Sequence, residues 1–284
     1  MQRTNFGPGS ALMWVVFLLG VSTASAQEFR NASFEDSIVP PGDWLYQPSS
    51  PQVIWTGTEK WGLANGRSSW GTGGHTGPQY AYLQSSNDPG PGTMSQAVGG
   101  FDLGSAYVVD YWMARRNGGS GGNVGTSLTV KVNRSEVIVD NEFSAGGGAW
   151  LPYTSQAFRA TSEFNLFTFS VPPPTGDHSL LLDDLSIRRL YEGDANRDGA
   201  FDSSDLAAVF AVGKYDLDVD AGWSDGDWTG DVRFNSADLI AAMQTGAYEK
   251  SQAAAQVPEP STGITTLIGL MAVHFHRRRE RSTR

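Results

Sequence analysis

The segment GDANRDGAFDSSDL, residues 193–206, carries oxygen-bearing side chains at regular short intervals. Counted from the first acid, positions 1, 3, 5, 9 and 12 are Asp194, Asn196, Asp198, Asp202 and Asp205. Gly199 at position 6 permits a sharp turn, and Ala200 at position 7 would offer its carbonyl oxygen. Calcium takes about six to eight oxygen ligands, which alternate positions of a tightly wound loop direct at one point. The spacing therefore predicts a Ca²⁺ site.

A second copy of the pattern, GDWTGDVRFNSADL, begins at Gly226. Its positions 1, 3, 5, 7, 9 and 12 are Asp227, Thr229, Asp231, Arg233, Asn235 and Asp238, with Arg233 offering only its carbonyl. Thr229 replaces the usual Asp or Asn, and Val232 stands where glycine is expected at position 6. A β-branched residue resists the positive φ of this turn. We therefore expect weaker calcium binding here, or a loop held partly by packing.

Apolar residues recur at helical spacing after each loop and predict two short helices. They are Leu206, Val209 and Phe210 after the first loop, and Leu239, Ile240 and Met243 after the second. We expect all of them to lie in a small core. A unit of this size buries too little apolar surface to offset its chain entropy, so we expect it to need metal.

The duplicated loop and helix, with Asp instead of Glu at position 12, resemble the type I dockerin family over residues 191–249. This resemblance implies a small α-helical, EF-hand-like domain that binds calcium and docks onto a cohesin domain of another protein. The implied recognition residues are Ser203 and Ser204 in the first copy and Ser236 and Ala237 in the second. Because Ala237 lacks a hydroxyl, the choice of binding face stays open. The alternative is that the module only caps a neighbouring domain.

Residues 27–190 differ in texture and predict an antiparallel jelly-roll β-sandwich, which makes the chain mainly β. They are rich in Gly, Ser, Thr and aromatic residues, with short alternating stretches such as SLTVKVNRSEVIV between Gly and Pro clusters. Leu128, Val130 and Val132 form one apolar face at period two, while Thr129 and Lys131 face the other side.

The stretches NASFEDS, GPQYAYLQ and SLLLDDLSI in this region resemble the carbohydrate-binding jelly rolls of the galactose-binding-like superfamily. The resemblance implies a structural calcium between the first and last strands. Its ligands would be Glu35 and Asp183, with Asp184 a weaker candidate. The alternative is that these acids are merely exposed at strand ends.

Aromatic rings on polar loops are the usual platforms for sugars, because the C–H faces of sugars stack on them. Trp61 and Trp70 lie in the Gly-rich segment KWGLANGRSSWGTGGHTGPQY, which we predict to be a loop, and they are the candidate ligand-binding residues. Tyr80, Tyr82 and Trp112 lie in strand-like stretches and are predicted to be core.

Both ends of the chain are typical of export signals. Residues 1–26 form an apolar run ending in small residues, as in a cleaved signal peptide. After a linker at 250–256, residues 257–284 contain Pro258-Glu259-Pro260, a short apolar segment and an Arg-rich tail. This arrangement resembles the PEP-CTERM signal, which implies a transient membrane anchor, cleavage by an exosortase and delivery to the cell surface or extracellular matrix.

Composition narrows the function. The net charge of −10 argues against nucleic acid as a partner, and the absence of cysteine excludes disulfides and thiolate chemistry. We expect a secreted, non-catalytic protein that binds a glycan or polysaccharide through its sandwich. One alternative is a polysaccharide-degrading enzyme, since carboxylates such as Asp110 are available, although no spacing selects a catalytic pair. The other is a structural matrix protein that binds no sugar.

Overall fold

The computed structural model describes residues 27–36, 39–48, 54–66, 73–85, 90–116, 126–143, 149–171 and 178–250. The predicted signal peptide, Trp70, residues 251–256 of the linker and the predicted sorting signal lie outside these ranges. Within them, no helix has the length and apolar character needed to cross a membrane.

Twelve strands, numbered in chain order, form the larger part of the structure. They are β1 Trp44–Tyr46, β2 Thr56–Gly57, β3 Trp61–Asn65, β4 Gln79–Ser85, β5 Gly92–Gly99, β6 Ala106–Arg115, β7 Thr126–Val132, β8 Glu136–Phe143, β9 Leu151–Thr154, β10 Phe158–Arg159, β11 Phe164–Val171 and β12 His178–Arg189. Seven of them form an antiparallel sheet in the order β1, β3, β4, β12, β6, with β9 and β10 both paired to the free side of β6. The other five form a sheet in the order β2, β5, β11, β7, β8. The predicted antiparallel sandwich of two sheets is therefore confirmed.

The core lies between the two sheets and is built by alternating strands. Leu128, Val130 and Val132 of β7 are buried, as the period-two pattern predicts. The N-terminal segment adds Phe29, whose ring stacks on Trp55 at 5.4 Å between centroids. Aromatic contacts of this kind tie residues that precede the first strand into the sandwich.

Trp61 belongs to this core, which makes its prediction as a loop residue that binds ligand wrong. It begins β3, where it pairs with Leu83 of β4, and its side chain is only 1% exposed. A ring buried to that degree cannot stack on a sugar. The Gly-rich surroundings of Trp61 suggested a loop, but the pairing of β3 with β4 turns its ring inward.

The opposite face of the seven-stranded sheet carries a second, smaller apolar cluster. Tyr80 and Tyr82 are fully buried there beside Leu181, and Trp150 packs against them. The prediction that both tyrosines are core residues is correct. The same prediction fails for Trp112, which points away from the main core and is only half-buried.

Two helices follow the sandwich, α1 Ser203–Val212 and α2 Ser236–Gln244. Each begins with a capping box, in which the side chain of Asp202 or Asn235 accepts a hydrogen bond from the first turn. Gly213, in the left-handed conformation, ends α1. Residues 191–250, which contain both helices, are called the helical module below.

The core of the helical module is mostly aromatic and takes little from the helices. Phe201, Phe234 and Trp228 fill it, with Val209 and Ala242 contributing from the two helices. The prediction that all six apolar helix residues are core is therefore wrong for three of them. The side chains of Phe210, Ile240 and Met243 are 47%, 56% and 46% exposed. Each helix buries a stripe only two residues wide, because loop aromatic residues already occupy the centre.

The end of the helical module closes on its beginning. Tyr248 forms a parallel bridge with Phe201, and their rings lie 5.1 Å apart edge to face. The backbone N–H of Glu249 donates to the carbonyl of Phe201 at 2.7 Å. Tyr248 and Glu249, at the C-terminal end of the module, therefore hold the first loop in place.

The helical module packs directly against the sandwich. Leu190 at the end of β12 is buried with Ala106 and Val108 of β6, and Trp223 packs against this cluster. The guanidinium of Arg159 lies 5.5 Å from the Trp223 ring centroid and also donates to the carbonyl of Trp228. These contacts make the junction a packed interface with both apolar and polar components.

Candidate functional site

The two predicted calcium loops share one set of hydrogen bonds. The carboxylate at position 12, Asp205 or Asp238, is fully buried in each loop. In each it accepts the backbone N–H of position 9, at 2.9 Å, and that of position 3, at 3.0 and 2.9 Å. Each loop therefore positions its last acid against both its own turn and the helix that follows.

The first acid of each loop is held in an equivalent way. Asp194 accepts the backbone N–H of Gly199 at 3.0 Å, and Asp227 accepts that of Val232 at 2.9 Å. At position 5, Asp198 accepts the N–H of Ala200, and Asp231 that of Arg233. The sequence duplication is thus a duplication of geometry.

Glycine just before each loop is required by packing. Gly193 and Gly226 adopt φ of 109° and 105°. A Cβ at either position would overlap the ring of Phe201 or Phe234, the aromatic residue at position 8 of the same loop. The Gly-Asp pair that opens each copy therefore serves both the backbone and the core.

The carboxylates converge in the second loop, where the sequence predicts the weaker site. Ligand oxygens of Asp227, Asp231 and Asp238 all lie within 4.8 Å of one another. Across the described ranges, this is the one group of three or more acidic or histidine side chains that meets this criterion. Thr229 adapts to position 3 by donating its hydroxyl to Asp238 at 2.9 Å. This acidic triad could hold a metal ion.

Backbone strain in the second loop is real, as the sequence predicts. Val232 at position 6 adopts φ of 67°, where Gly199 of the first loop has 94°. The loop nevertheless keeps its shape, because the N–H of Val232 bonds Asp227 and the neighbouring Arg233 pairs with Asp218 and Asp220. The strain at Val232 therefore does not move the three acids of the triad apart.

In the first loop, basic and amide groups compete for the acids. The side-chain amide of Asn196 donates to Asp198 at 2.8 Å, and the Arg188 guanidinium lies 3.8 Å from Asp194. One oxygen of Asp194 is buried without a hydrogen-bond partner. Burial raises the pKa of Asp194 to about 6, despite its bond to Gly199. A buried acceptor with no partner is the feature that a cation would satisfy.

The residues predicted to recognise a cohesin lie on the surface in the first turn of each helix. Ser203 and Ser204 of α1 and Ser236 and Ala237 of α2 are all exposed. The backbone N–H groups of Ser204 and Ala237 donate to the N-cap side chains of Asp202 and Asn235. A partner could therefore contact these two residues through their side chains but not through these N–H groups. All four residues are accessible for contact with another protein.

Glu35 and Asp183, the ligands predicted for a calcium in the sandwich, both bind the segment at residues 75–79. Glu35 accepts the N–H of Gln79 at 2.8 Å. Asp183, fully buried, accepts the N–H groups of His75 and Thr76 at 2.7 and 3.3 Å. The two acids thus connect the start and end of the sandwich through hydrogen bonds to one intervening segment.

Burial is the main influence on the pKa values of Glu35 and Asp183. Burial, with the adjacent charge of Asp184, raises the pKa of Asp183 to about 8. Burial likewise raises the pKa of Glu35. Acids whose ionised forms are disfavoured in this way would gain from a bound cation.

Next to these acids lies an aromatic cluster that the sequence analysis missed. The His75 ring stacks on Trp112 at 3.6 Å between centroids, and Trp150 meets His75 edge-on at 6.4 Å. Asp184 fixes His75 through Nδ1 at 2.5 Å and binds the hydroxyl of Thr76 at 2.6 Å. All of these side chains are partly accessible except Thr76, which is exposed. The polar segment GTGGHTGPQY, which contains His75, was the available signal, but the sequence prediction named Trp61 and Trp70, which precede this segment.

Asp184 supports this cluster from an unusual backbone position. Its φ is 47°, and the register of β12 against β6 shifts between Asp183 and Ser186. Such irregularities re-aim side chains and are frequent beside binding sites. Here the irregularity sends Asp183 toward the buried segment and Asp184 toward the half-exposed ring of His75.

No family model matches the chain, and no curated protein matches it. Among solved structures, it is similar to TmCBM61 in complex with β-1,4-galactotriose, with 20% identity over 58% of this chain and 99% of that one, and a TM-score of 0.38. It is also similar to a family 35 carbohydrate-binding module from Clostridium thermocellum, with 13% identity, coverage of 47% and 90%, and a TM-score of 0.34.

A third similar structure is an arabinose-bound α-L-arabinofuranosidase, MgGH51. Identity is 13%, the match covers 58% of this chain but only 27% of that one, and the TM-score is 0.41. The similar structures therefore include both binding modules and a part of an enzyme. Values this low transfer neither ligand nor activity to this chain.

Proposed function

We propose that this chain is a non-catalytic glycan-binding protein whose helical module is stabilised by calcium. The observation that carries the glycan-binding part is the half-exposed stack of His75 on Trp112, held by Asp184. Aromatic rings flanked by fixed polar groups suit the C–H faces and hydroxyls of a sugar. Within the described residues, Nε2 of His75 makes no hydrogen bond, so a sugar hydroxyl could use it.

Calcium is the cation that suits the two loops. The side chains at positions 1, 3, 5, 9 and 12 of both loops offer oxygen, and the acids at positions 1 and 12 are buried. The acidic triad of the second loop, two of whose members are buried, and the unpartnered oxygen of Asp194 in the first support this part. In the sandwich, Glu35 and Asp183 would hold a further calcium between the two ends of the domain.

The wider role follows the sequence resemblances. The helical module acts as a dockerin, with Ser203, Ser204, Ser236 and Ala237 facing a cohesin-type partner. The chain is exported and then sorted to the cell surface or matrix through exosortase cleavage of residues 257–284. The sandwich thereby contacts glycan outside the cell.

A polysaccharide panel tests the glycan-binding part. The full chain, the Trp112→Ala variant and the Phe164→Ala variant would be compared for retention on immobilised polysaccharides. Phe164 is a matched control because its ring is 68% exposed on the five-stranded sheet, remote in sequence from the His75 segment. We expect one polysaccharide to retain the full chain and the control, and at least a tenfold weaker affinity for Trp112→Ala.

The same panel separates the alternatives. Release of reducing sugar by the full chain would contradict the non-catalytic assignment and favour the degrading enzyme. Retention of none of the polysaccharides would favour the structural matrix protein. Equal retention of Trp112→Ala and the full chain would show that the glycan does not bind at the aromatic cluster.

A further inference from the structure

A cleft of about 370 Å³ opens where the sandwich meets the helical module. The sandwich contributes Gln156, and the module contributes Arg197, Trp223, Ser224 and Asp225. Its size lies in the range of small-molecule sites. Neither the calcium loops nor the aromatic cluster accounts for this cleft.

Arg197 is the unusual member of the lining. One of its terminal amino groups, Nη1, donates to the carbonyl of Ser155. Its Nε is buried and makes no hydrogen bond. In the described part of the chain, no carboxylate lies within ion-pair distance of this guanidinium, although the protein as a whole is acidic. Because Nε is buried, only the second amino group, Nη2, which makes no hydrogen bond to the described residues, is left for an acceptor from outside.

The backbone of Arg197 points the same way. It occupies position 4 of the first loop with φ of 63°, while the second loop has Gly230 there with φ of 85°. A left-handed conformation is unfavourable for any residue with a Cβ. An arginine at a position where the duplicate uses glycine is explained by what its side chain does in the cleft.

The other lining groups add the features of a sugar site. Trp223 is half-buried, and its indole N–H is occupied by the carbonyl of Asp194 at 2.5 Å, so the ring is held in place. Gln156 and Ser224 are exposed and offer an amide and a hydroxyl. Asp225 is paired with Lys214 at 2.7 Å, so its charge is already compensated.

We propose that this cleft binds a saccharide that carries a carboxylate, such as a uronic acid residue of a polysaccharide. The carboxylate accepts a charge-assisted hydrogen bond from Nη2 of Arg197 and is attracted by the charge of the guanidinium. The sugar ring lies beside Trp223, and Gln156 and Ser224 bond its hydroxyls. This site goes beyond the proposed function, because it neither uses nor requires the His75 and Trp112 cluster.

Isothermal titration of the calcium-loaded full chain tests the proposal. The probes are α-1,4-trigalacturonic acid, its methyl ester, the neutral galactose trisaccharide and acetate. We expect the free acid alone to bind measurably. Removing the guanidinium in Arg197→Ala should weaken binding about tenfold or more, and Arg197→Lys should restore only part of it. Ser224→Ala should weaken it about threefold.

Arg189→Ala is the matched control, since Arg189 is an exposed arginine paired with Asp102 and lies outside the lining. It should bind the acid as the full chain does. Because Arg197 also bonds Ser155, the Gln156→Ala and Ser224→Ala variants keep the test valid if Arg197→Ala fails to fold. Trp112→Ala should leave uronate binding intact, which separates this site from the glycan site proposed above.

Several results would overturn the proposal. Absence of heat with trigalacturonic acid would remove the site, and equal binding of its methyl ester would remove the role of the carboxylate. Acetate binding as tightly as the trisaccharide would reduce the cleft to a simple anion site. Unchanged affinity in a folded Arg197→Ala variant would place any uronate site elsewhere.

Discussion

Asp205 and Asp238 make the same two backbone hydrogen bonds, to the N–H groups three and nine residues before them. Each carboxylate therefore both starts a helix and lies at position 12 of the calcium site that we propose for its loop. A substitution at either position should remove an ion and destabilise one helix together.

Ion stoichiometry tests this coupling. We expect three calcium ions in the full chain, two of them in the helical module. The paired change Asp194→Ala with Asp205→Ala should remove one of these two and the calcium-dependent helicity of α1. Asp227→Ala with Asp238→Ala should do the same for the second loop and α2. Calorimetry and circular dichroism report the two effects. Asp102→Ala is the control, because this exposed acid pairs with Arg189 and belongs to neither loop. Unchanged stoichiometry in both paired variants would contradict the assignment.

Relief of strain at position 6 should strengthen the second loop. Val232→Gly removes a Cβ from a left-handed residue, which is worth about 1 kcal/mol after the greater entropy of glycine in the unfolded chain is subtracted. The calcium affinity of the second loop should rise about fivefold. The reciprocal change, Gly199→Val, should weaken the first loop by a similar factor. Titration of each variant with the other loop disabled measures both, and a decrease for Val232→Gly would refute the strain argument.

Two tryptophans should separate stability from binding. Trp61→Ala empties a core position and should cost about 3–5 kcal/mol in the free energy of unfolding. Trp112→Ala removes a half-buried ring and should cost roughly 1–2 kcal/mol, while it lowers glycan affinity at least tenfold. Chemical denaturation gives the stabilities and the panel gives the affinities. A loss of affinity in folded Trp61→Ala as large as that in Trp112→Ala would show that burial does not separate the two roles.

Arg159 should couple the unfolding of the two parts. Its guanidinium donates to Gly104 of the sandwich and to Trp228 of the helical module, and lies over Trp223. Arg159→Ala should cost about 2 kcal/mol and split a single calorimetric transition into two. Arg189→Ala, which breaks an exposed ion pair, should leave one transition. A single transition in Arg159→Ala would mean that the apolar contacts suffice.

The two acidic loops could be predicted from sequence because their interactions are local. Position 1 meets position 6, and position 12 meets positions 3 and 9, all within a dozen residues. The alternating core of β7 was predictable for the same reason, since period two is read along a single strand. The dockerin identity and the bound ion stay predictions.

The candidate sugar-binding residues depend on distant pairings that periodicity does not contain. Trp61 is buried because β3 pairs with β4, and His75 is positioned by Asp184, which lies 109 residues further along the chain. Likewise, Phe210 and Ile240 are exposed because the aromatic residues of the loops fill the core first. Composition and spacing report which residues are available, whereas long-range pairing decides which of them reach solvent.

The last strand of the sandwich has a mechanical consequence. β12 lies inside the seven-stranded sheet, bonded on both sides, and leads within five residues from Arg189 into the first calcium loop. Tension applied to the C-terminal end of the helical module would therefore load an internal strand in shear, so many backbone hydrogen bonds would have to break together. A chain tethered by that end would resist pulling by a ligand held on the sandwich.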